Sequence, residues 1–321
     1  MPIVDMPLEK LKEYKGINPK PSDFEEYWDN NIALADKLDT NAQMIPYEFK
    51  NPIADCYDLY FTGTGNAKVH AKLLIPKKNN GKCPALLNFH GYHGRSSDFV
   101  DYLGYVAAGF VVAALDCRGQ GGLSQELGEG VTGDCMIGLL HMGIDAGKEN
   151  LLFKHVFLDT YLLSKIVKNL PCVDKTRIGA YGGSQGGALT VACSALDPDI
   201  KMLSPDYPFL SDYKRVWEMD LAKAAYSSIS EYFRRYDSEH KREDEIFNLF
   251  GYIDVHNLAP RIKGKMLMFT GLMDVICPPS TQFAIYNNMT SEKSHVIFPD
   301  YGHEGIPYMA QKKFEFMTEL L

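Results

Sequence analysis

Three residues in this sequence have the types and the chain order of a nucleophile, an acid and a base: Ser184, Asp274 and His303. Ser184 lies in Arg177-Ile-Gly-Ala-Tyr-Gly-Gly-Ser-Gln-Gly-Gly-Ala, an apolar run, then Gly182-x-Ser184-x-Gly186, then small residues. The pattern predicts a strand, a tight turn and a helix. The serine sits on the turn, and the glycines leave room for the turn and for the helix to lie close to the sheet. A glycine-rich turn with an incidental serine reads the same way, so the motif alone does not decide. A nucleophilic serine also needs a base, and the base needs a carboxylate to fix its tautomer and to stabilise the imidazolium as it forms. Asp274 stands 90 residues after Ser184, just beyond the apolar run Lys265–Thr270, and His303 follows 29 residues later, beyond the run Ser294–Phe298. Asp300 is the rival acid, but three residues is too short a tether to lock the imidazole of His303 in place.

A serine hydrolase also needs two backbone N–H groups to hold the oxyanion, one from the residue after the nucleophile and one from a loop after an earlier strand. Gln185 and Tyr92 are the candidates, Tyr92 within His90-Gly91-Tyr92-His93-Gly94 after the run Pro84–Phe89. His90 reads as a residue that orients this loop. His295 falls within a strand, His240 within a charged run and His256 at a helix start, with Asp254 as its N-cap. The glycine-rich segment Asp116-Cys-Arg118-Gly-Gln120-Gly-Gly follows the run Phe110–Leu115 and predicts a loop bordering the site. Arg118 is expected to be buried there and paired with Glu304, bracing the loop that bears His303.

These residues can meet only if their strands lie side by side with their ends on one edge. After Pro84, short apolar runs alternate with helical stretches of ten to sixteen residues, the signature of βαβ units and a parallel sheet. The runs Ala85–Phe89, Phe110–Leu115, Arg177–Tyr181, Ile200–Leu203, Lys265–Thr270 and Ser294–Phe298 are nearly continuously apolar, as strands covered on both faces are. Ahead of them, alternation at Tyr57, Leu59, Phe61 and at Val69, Ala71, Leu73, Ile75 predicts an antiparallel hairpin with one wet face. Residues 1–40 carry two amphipathic patterns, Leu8, Leu11, Tyr14 and Phe24, Tyr27, Trp28, Ile32, Leu34, the second behind Pro21-Ser22-Asp23. Residues 207–262 read as a helical insertion, with the charged stretch 234–245 as a solvated face. The expectation is one α/β unit, a mostly parallel central sheet flanked by helices, with an N-terminal extension and an insertion.

Composition narrows the partners. The chain has 321 residues, 45% hydrophobic and 23% charged, with 33 basic against 41 acidic side chains and a net charge of −8. No Lys/Arg run offers phosphate backbones a face, so nucleic acid is not expected. The longest largely apolar stretch, 105–115, is too short to span a bilayer. The N-terminus carries charges where a secretory signal needs its apolar core, which predicts a cytoplasmic protein. Seven cysteines, none in a C-x-x-C pair, predict reduced, mostly buried thiols rather than a disulfide frame or a zinc site.

The set Arg118-Gly-Gln120, Gly182-Gly-Ser184-Gln185-Gly186, Gly271-Leu-Met-Asp274, Cys277-Pro-Pro-Ser-Thr281 and His303-Glu304 resembles carbohydrate esterase family seven, the acetyl xylan esterases and cephalosporin C deacetylases. The similarity runs from Leu8-Glu-Lys-Leu through Asp206-Tyr-Pro-Phe-Leu to the C-terminus. It implies an α/β-hydrolase fold, deacetylation of small acetylated sugars, no cofactor or metal, cytoplasmic location and a ring-shaped homohexamer. It also singles out Arg118, Gln120 and Glu304 as supporting residues. The chain departs from the family at Leu152-Phe153-Lys154-His155, where relatives carry a Tyr-Tyr-Arg run, across 123–150, and at Ala225-Tyr226 in place of a Pro-Tyr pair. An esterase for longer or aromatic acyl groups, a peptidase on the same fold and a non-catalytic binding protein are the alternative readings.

Overall fold

The apolar runs become strands because each is long enough to cross a sheet, too short to hold a stable helix, and apolar enough to be covered on both faces. The computed structural model describes residues 4–78, 81–125 and 138–321. Its strands are β1 (Gln43–Pro46), β2 (Ala54–Thr62), β3 (Lys68–Pro76), β4 (Cys83–Phe89), β5 (Val111–Asp116), β6 (Val173–Gly183), β7 (Ile200–Asp206), β8 (Lys265–Gly271) and β9 (Lys293–Phe298). They form one nine-stranded sheet in the order β1-β2-β3-β5-β4-β6-β7-β8-β9. β1, β2, β3 and β5 pair antiparallel, and every pair from β5 through β4 to β9 is parallel. The pairings Phe89↔Gly182, Gly183↔Asp206 and Gly271↔Phe298 bring the C-terminal ends of β4, β6, β7, β8 and β9 to one edge. This is the α/β-hydrolase architecture.

The helices are α1 (Leu8–Leu11), α2 (Phe24–Asp36), α3 (Leu103–Ala108), α4 (Leu152–Lys168), α5 (Gln185–Leu196), α6 (Tyr213–Glu218), α7 (Ser227–Tyr236), α8 (Glu243–Phe250), α9 (Val255–Leu258), α10 (Pro279–Asn288) and α11 (Met309–Met317). On one face of the sheet, α2, α4 and α5 bury Trp28, Phe153, Phe157 and Leu189 against Leu87, Ala113 and Ala180. On the other, Val106 of α3 and Phe316 and Met317 of α11 cover Leu86, Val112 and Ala114. Each large side chain so enclosed contributes about 1.5–3 kcal/mol through the water it sheds. All of α5 is buried, which its small residues permit and which sets its N-terminus firmly under the site. Between β7 and β8, α6–α9 carry the helical periodicity of the long connection.

Three expectations need correction. The first helix stops at Leu11, and Tyr14 instead sends its hydroxyl to Asp212 Oδ2 at 2.7 Å. The predicted hairpin carries a third antiparallel strand, β1, whose residues are all exposed and so show no alternation to betray it. Its β3 has no wet face, because Leu74 packs with Phe99, Tyr102 and Val106. Cys56, Cys83, Cys117, Cys172, Cys193 and Cys277 are free thiols, and Cys135 lies outside the described residues, as do 126–137 of the divergent stretch 123–150. Among the described residues no helix is long and apolar enough to cross a membrane.

Candidate active site

Ser184 links the end of β6 to the start of α5 with φ 58° and ψ −119°, a backbone state that non-glycine residues rarely hold and that costs on the order of 1–3 kcal/mol. The surroundings impose it. Ser184 N donates to Asp206 O at 3.0 Å, and its carbonyl accepts from Ala188 N at 3.1 Å and Phe209 N at 3.0 Å. The two glycines of the motif are needed for space. A Cβ on Gly182 would stand 2.5 Å from Phe89 O, and one on Gly186 would stand 2.0 Å from the same oxygen. The turn therefore presents the serine side chain beyond the sheet edge.

His303, on the loop after β9, reaches that side chain, with its Nε2 2.9 Å from Ser184 Oγ. Its Nδ1 lies 2.8 Å from Asp274 Oδ2. Asp274 is completely buried, and its Oδ1 accepts from the amides of Ile276 at 2.9 Å and Cys277 at 2.8 Å. A carboxylate on Nδ1 makes that nitrogen the donor and leaves Nε2 to accept the serine proton. Asp300 is exposed in the turn after β9, and the carboxylate that meets His303 Nδ1 is that of Asp274. The ring of Tyr207, at the end of β7, meets the imidazole edge to face at 4.7 Å, a contact the sequence did not suggest. Gln282 is another unanticipated neighbour, its Nε2 3.2 Å from Asp274 Oδ2.

The loop 90–94 lies against this turn, a Cβ on Gly186 falling 3.1 Å from His90 O and one on Gly91 3.9 Å from Gly183 O. His90 gives both ring nitrogens to backbone: Nδ1 donates to Gly91 O at 2.7 Å and Nε2 accepts from Cys117 N at 2.9 Å. Burial pushes its pKa below the ordinary histidine value, so the ring is neutral, as that donor and acceptor pair requires. The Tyr92 ring rests on Phe209 at 5.2 Å, and Phe209 on the buried Tyr226 at 4.4 Å, so the insertion forms the wall behind the loop. Gln185 begins α5, whose N-terminal amides carry the positive end of the helix dipole. Its side chain is buried and exchanges two bonds with Gln120, Gln120 Nε2 to Gln185 Oε1 at 2.8 Å and Gln185 Nε2 to Gln120 Oε1 at 3.1 Å. Gln120 thus ties the loop after β5 to the nucleophile turn.

Arg118 does not pair with Glu304. Its guanidinium forks onto Asp159 of α4, Nε to Oδ2 at 2.7 Å and Nη2 to Oδ1 at 2.6 Å, and Nη1 donates to Thr64 O at 3.0 Å. Glu304 is exposed, and its Oε1 accepts from Gly302 N at 3.1 Å. The reason is depth: Arg118 is enclosed between α4 and the β2–β3 turn, whereas Glu304 stands on the outer rim. In the divergent run, His155 Nδ1 lies 2.8 Å from Thr64 Oγ1, and burial with the nearby Arg118 charge lowers its pKa to about 4. Asp254 caps α9 through His256 N at 3.2 Å, and its Oδ1 also accepts from Asp212 N at 3.0 Å, a structural role in the insertion. No group of three or more His, Cys, Asp or Glu side chains spaced to hold a metal occurs among the described residues.

The model of the acetyl xylan esterase family, AXE1, matches residues 1–320. The solved acetyl xylan esterase 1 of Thermoanaerobacterium sp. JW/SL YS485 is 52% identical, with a TM-score of 0.95 over 98% of this chain and 99% of that one. The acetyl xylan esterase of Paenibacillus sp. R4 is 34% identical, with a TM-score of 0.92 over 98% of this chain and 100% of that one. The acetyl esterase Axe7A of Xylanibacter ruminicola is 27% identical over 300 residues, which is 92% of this chain; the chain spans 65% of that relative's length.

Proposed function

This chain belongs to the acetyl xylan esterase family, and on that premise we propose that it is a serine esterase hydrolysing acetyl esters of small carbohydrates through Ser184, His303 and Asp274. The observation that carries the reading is the unbroken hydrogen-bond series from Asp274 through His303 to Ser184, with both links under 3 Å. His303 Nε2 takes the Ser184 proton as Oγ attacks the acetyl carbonyl. The carbonyl oxygen, now negative, rests on the N–H groups of Tyr92 and Gln185, the second at the favourable end of α5. His303 then gives its proton to the departing sugar hydroxyl, leaving an acetyl ester on Ser184. Water, deprotonated by the same imidazole, attacks that ester and releases acetate and the serine. Asp274 keeps its charge throughout and holds the ring in the tautomer each step needs. Arg118, Gln120 and Gln185 hold the loops that carry the amides.

Within this reading the substrates are acetylated xylo-oligosaccharides, neutral molecules compatible with a chain of net charge −8, and cephalosporin C. The chain acts as one catalytic unit, with 1–40 as an extension and 207–262 as an insertion, and as a cytoplasmic homohexamer; size-exclusion chromatography with light scattering tests the assembly. The catalytic assignment is tested by Ser184→Ala, expected to abolish hydrolysis of p-nitrophenyl acetate with the circular dichroism spectrum unchanged. Activity that survives the substitution refutes it. Acetate release from the acetylated sugars and from cephalosporin C ranks the substrates, and a series from acetate to octanoate esters separates a small acyl pocket from a long one.

A further inference from the structure

We infer that Gln282 is a positioning residue for Asp274, oriented in turn by Thr270 and His295; the inference rests on the catalytic reading above. Thr270 is the penultimate residue of β8, next to the acid loop, Gln282 lies on the first turns of α10, and His295 reaches Thr270 from β9. Thr270, Asp274 and Gln282 are completely buried, so each polar atom there must find its partner within the protein.

The bonds have only one consistent arrangement. Gln282 Nε2 lies 3.2 Å from Asp274 Oδ2 and 2.5 Å from Cys277 O, while Gln282 Oε1 lies 2.7 Å from Thr270 Oγ1. Turning the amide over would set its oxygen against the carboxylate and the Cys277 carbonyl, so Nε2 is the donor to both. Thr270 has one hydroxyl proton and gives it to Gln282. Its oxygen must then accept from His295 Nε2, at 2.8 Å. His295 lies between Phe283 and Tyr286, both 4.6 Å away, and burial lowers its pKa to about 3, so a neutral ring with its proton on Nε2 completes the series. Donation runs from His295 to Thr270 to Gln282 to Asp274.

The consequence for the acid is a division of labour between its oxygens. Oδ1 is held by the amides of Ile276 and Cys277. Oδ2 faces His303 and is held from the other side by Gln282. The glutamine therefore stops the carboxylate from rotating about its backbone-bound oxygen and aims Oδ2 at the imidazole. Its helix is anchored independently: Ser280 N donates to the buried Asp5 Oδ2 at 2.7 Å, and Asn287 Nδ2 donates to Leu11 O at 2.8 Å and Tyr14 O at 2.7 Å. The N-terminal segment thus braces α10 against movement.

The test uses Thr270→Val, which keeps the shape and removes the hydroxyl, Thr270→Ser, which restores it, and Gln282→Leu. Each is compared with the intact enzyme for kcat and KM on p-nitrophenyl acetate, with stoichiometric labelling by a fluorophosphonate giving the fraction of working sites. Thr270→Val and Gln282→Leu are expected to lower kcat about tenfold or more with KM within about twofold, and Thr270→Ser to return kcat to within about twofold of the parent. Undiminished kcat in Thr270→Val overturns the inference, as does a Thr270→Ser enzyme no better than Thr270→Val. Should Gln282→Leu not fold, the two Thr270 variants decide. A Ser184→Ala enzyme that keeps its activity points instead against the catalytic reading itself.

Discussion

The Arg118–Asp159 pair is the interaction whose removal the structure prices most clearly. Both side chains are about 2% exposed, and the guanidinium makes two charge-assisted bonds to Asp159 and one to Thr64 O. Burial pushes the Asp159 carboxyl above its ordinary range, with Arg118 pulling it back down. Arg118→Met takes away that pull and leaves a carboxylate enclosed by α4 and the β2–β3 turn, where it must take up a proton or remain unpaired. Breaking a buried pair from one side costs about 3–5 kcal/mol, whereas replacing both partners with packed apolar residues is often neutral or stabilising. Urea unfolding at pH 7.5 should therefore show a loss of about 3–5 kcal/mol for Arg118→Met, and Arg118→Met/Asp159→Leu should recover most of it. Glu304→Gln should change stability by no more than about 0.5 kcal/mol, as surface substitutions do. Because the same loop carries Gln120, kcat on p-nitrophenyl acetate should fall in the single variant as well. A loss below about 1 kcal/mol for Arg118→Met, or a double variant no more stable than it, would refute the pairing argument.

Three further outcomes can be measured. In Asp274→Asn, the two amides of Ile276 and Cys277 will keep the side-chain oxygen at the Oδ1 position, so the new NH2 faces His303 Nδ1; the wrong tautomer should cut kcat by roughly 10⁴-fold at unchanged fold, and a loss below tenfold would contradict the role of the acid. Gly186→Ala should destabilise by at least about 1–3 kcal/mol or prevent folding, because its Cβ meets the Phe89 carbonyl at 2.0 Å, whereas Gly104→Ala, with open space around it in α3, should stabilise by up to about 1 kcal/mol in thermal melts. His155 and His295 have pKa values lowered to about 4 and about 3, chiefly by burial. Their unfolded counterparts bind protons below about 6.5, so the unfolded state binds more protons in that window and stability must fall as pH drops from 6.5 toward 4. Each should remove about 2 kcal/mol by pH 5, above the carboxylate range; a urea midpoint that does not move between pH 7 and 5 would count against both assignments.

The residues brought together at the sheet edge were legible because strands impose their own grammar. A strand reveals itself by continuous apolarity, a parallel sheet puts the C-terminal end of each such run on one edge, and Ser184, Asp274 and His303 each stand just past one of those ends. No long-range information was needed to select them. Strand β1 stayed hidden because an edge strand with every residue exposed has no periodicity to read. The partner of Arg118 stayed hidden for a different reason. Asp159 lies in the middle of a seventeen-residue helix, 41 residues away, and only the angle at which α4 crosses the sheet turns that carboxylate toward the loop after β5. Gln282 is likewise one helix residue among several until α10 docks and its amide meets both Asp274 and Thr270. Chemistry at chain positions that local structure dictates was thus set by the sequence alone, and the choice of partners for buried polar groups was left to packing, because desolvation admits only the pairs that tertiary contact completes.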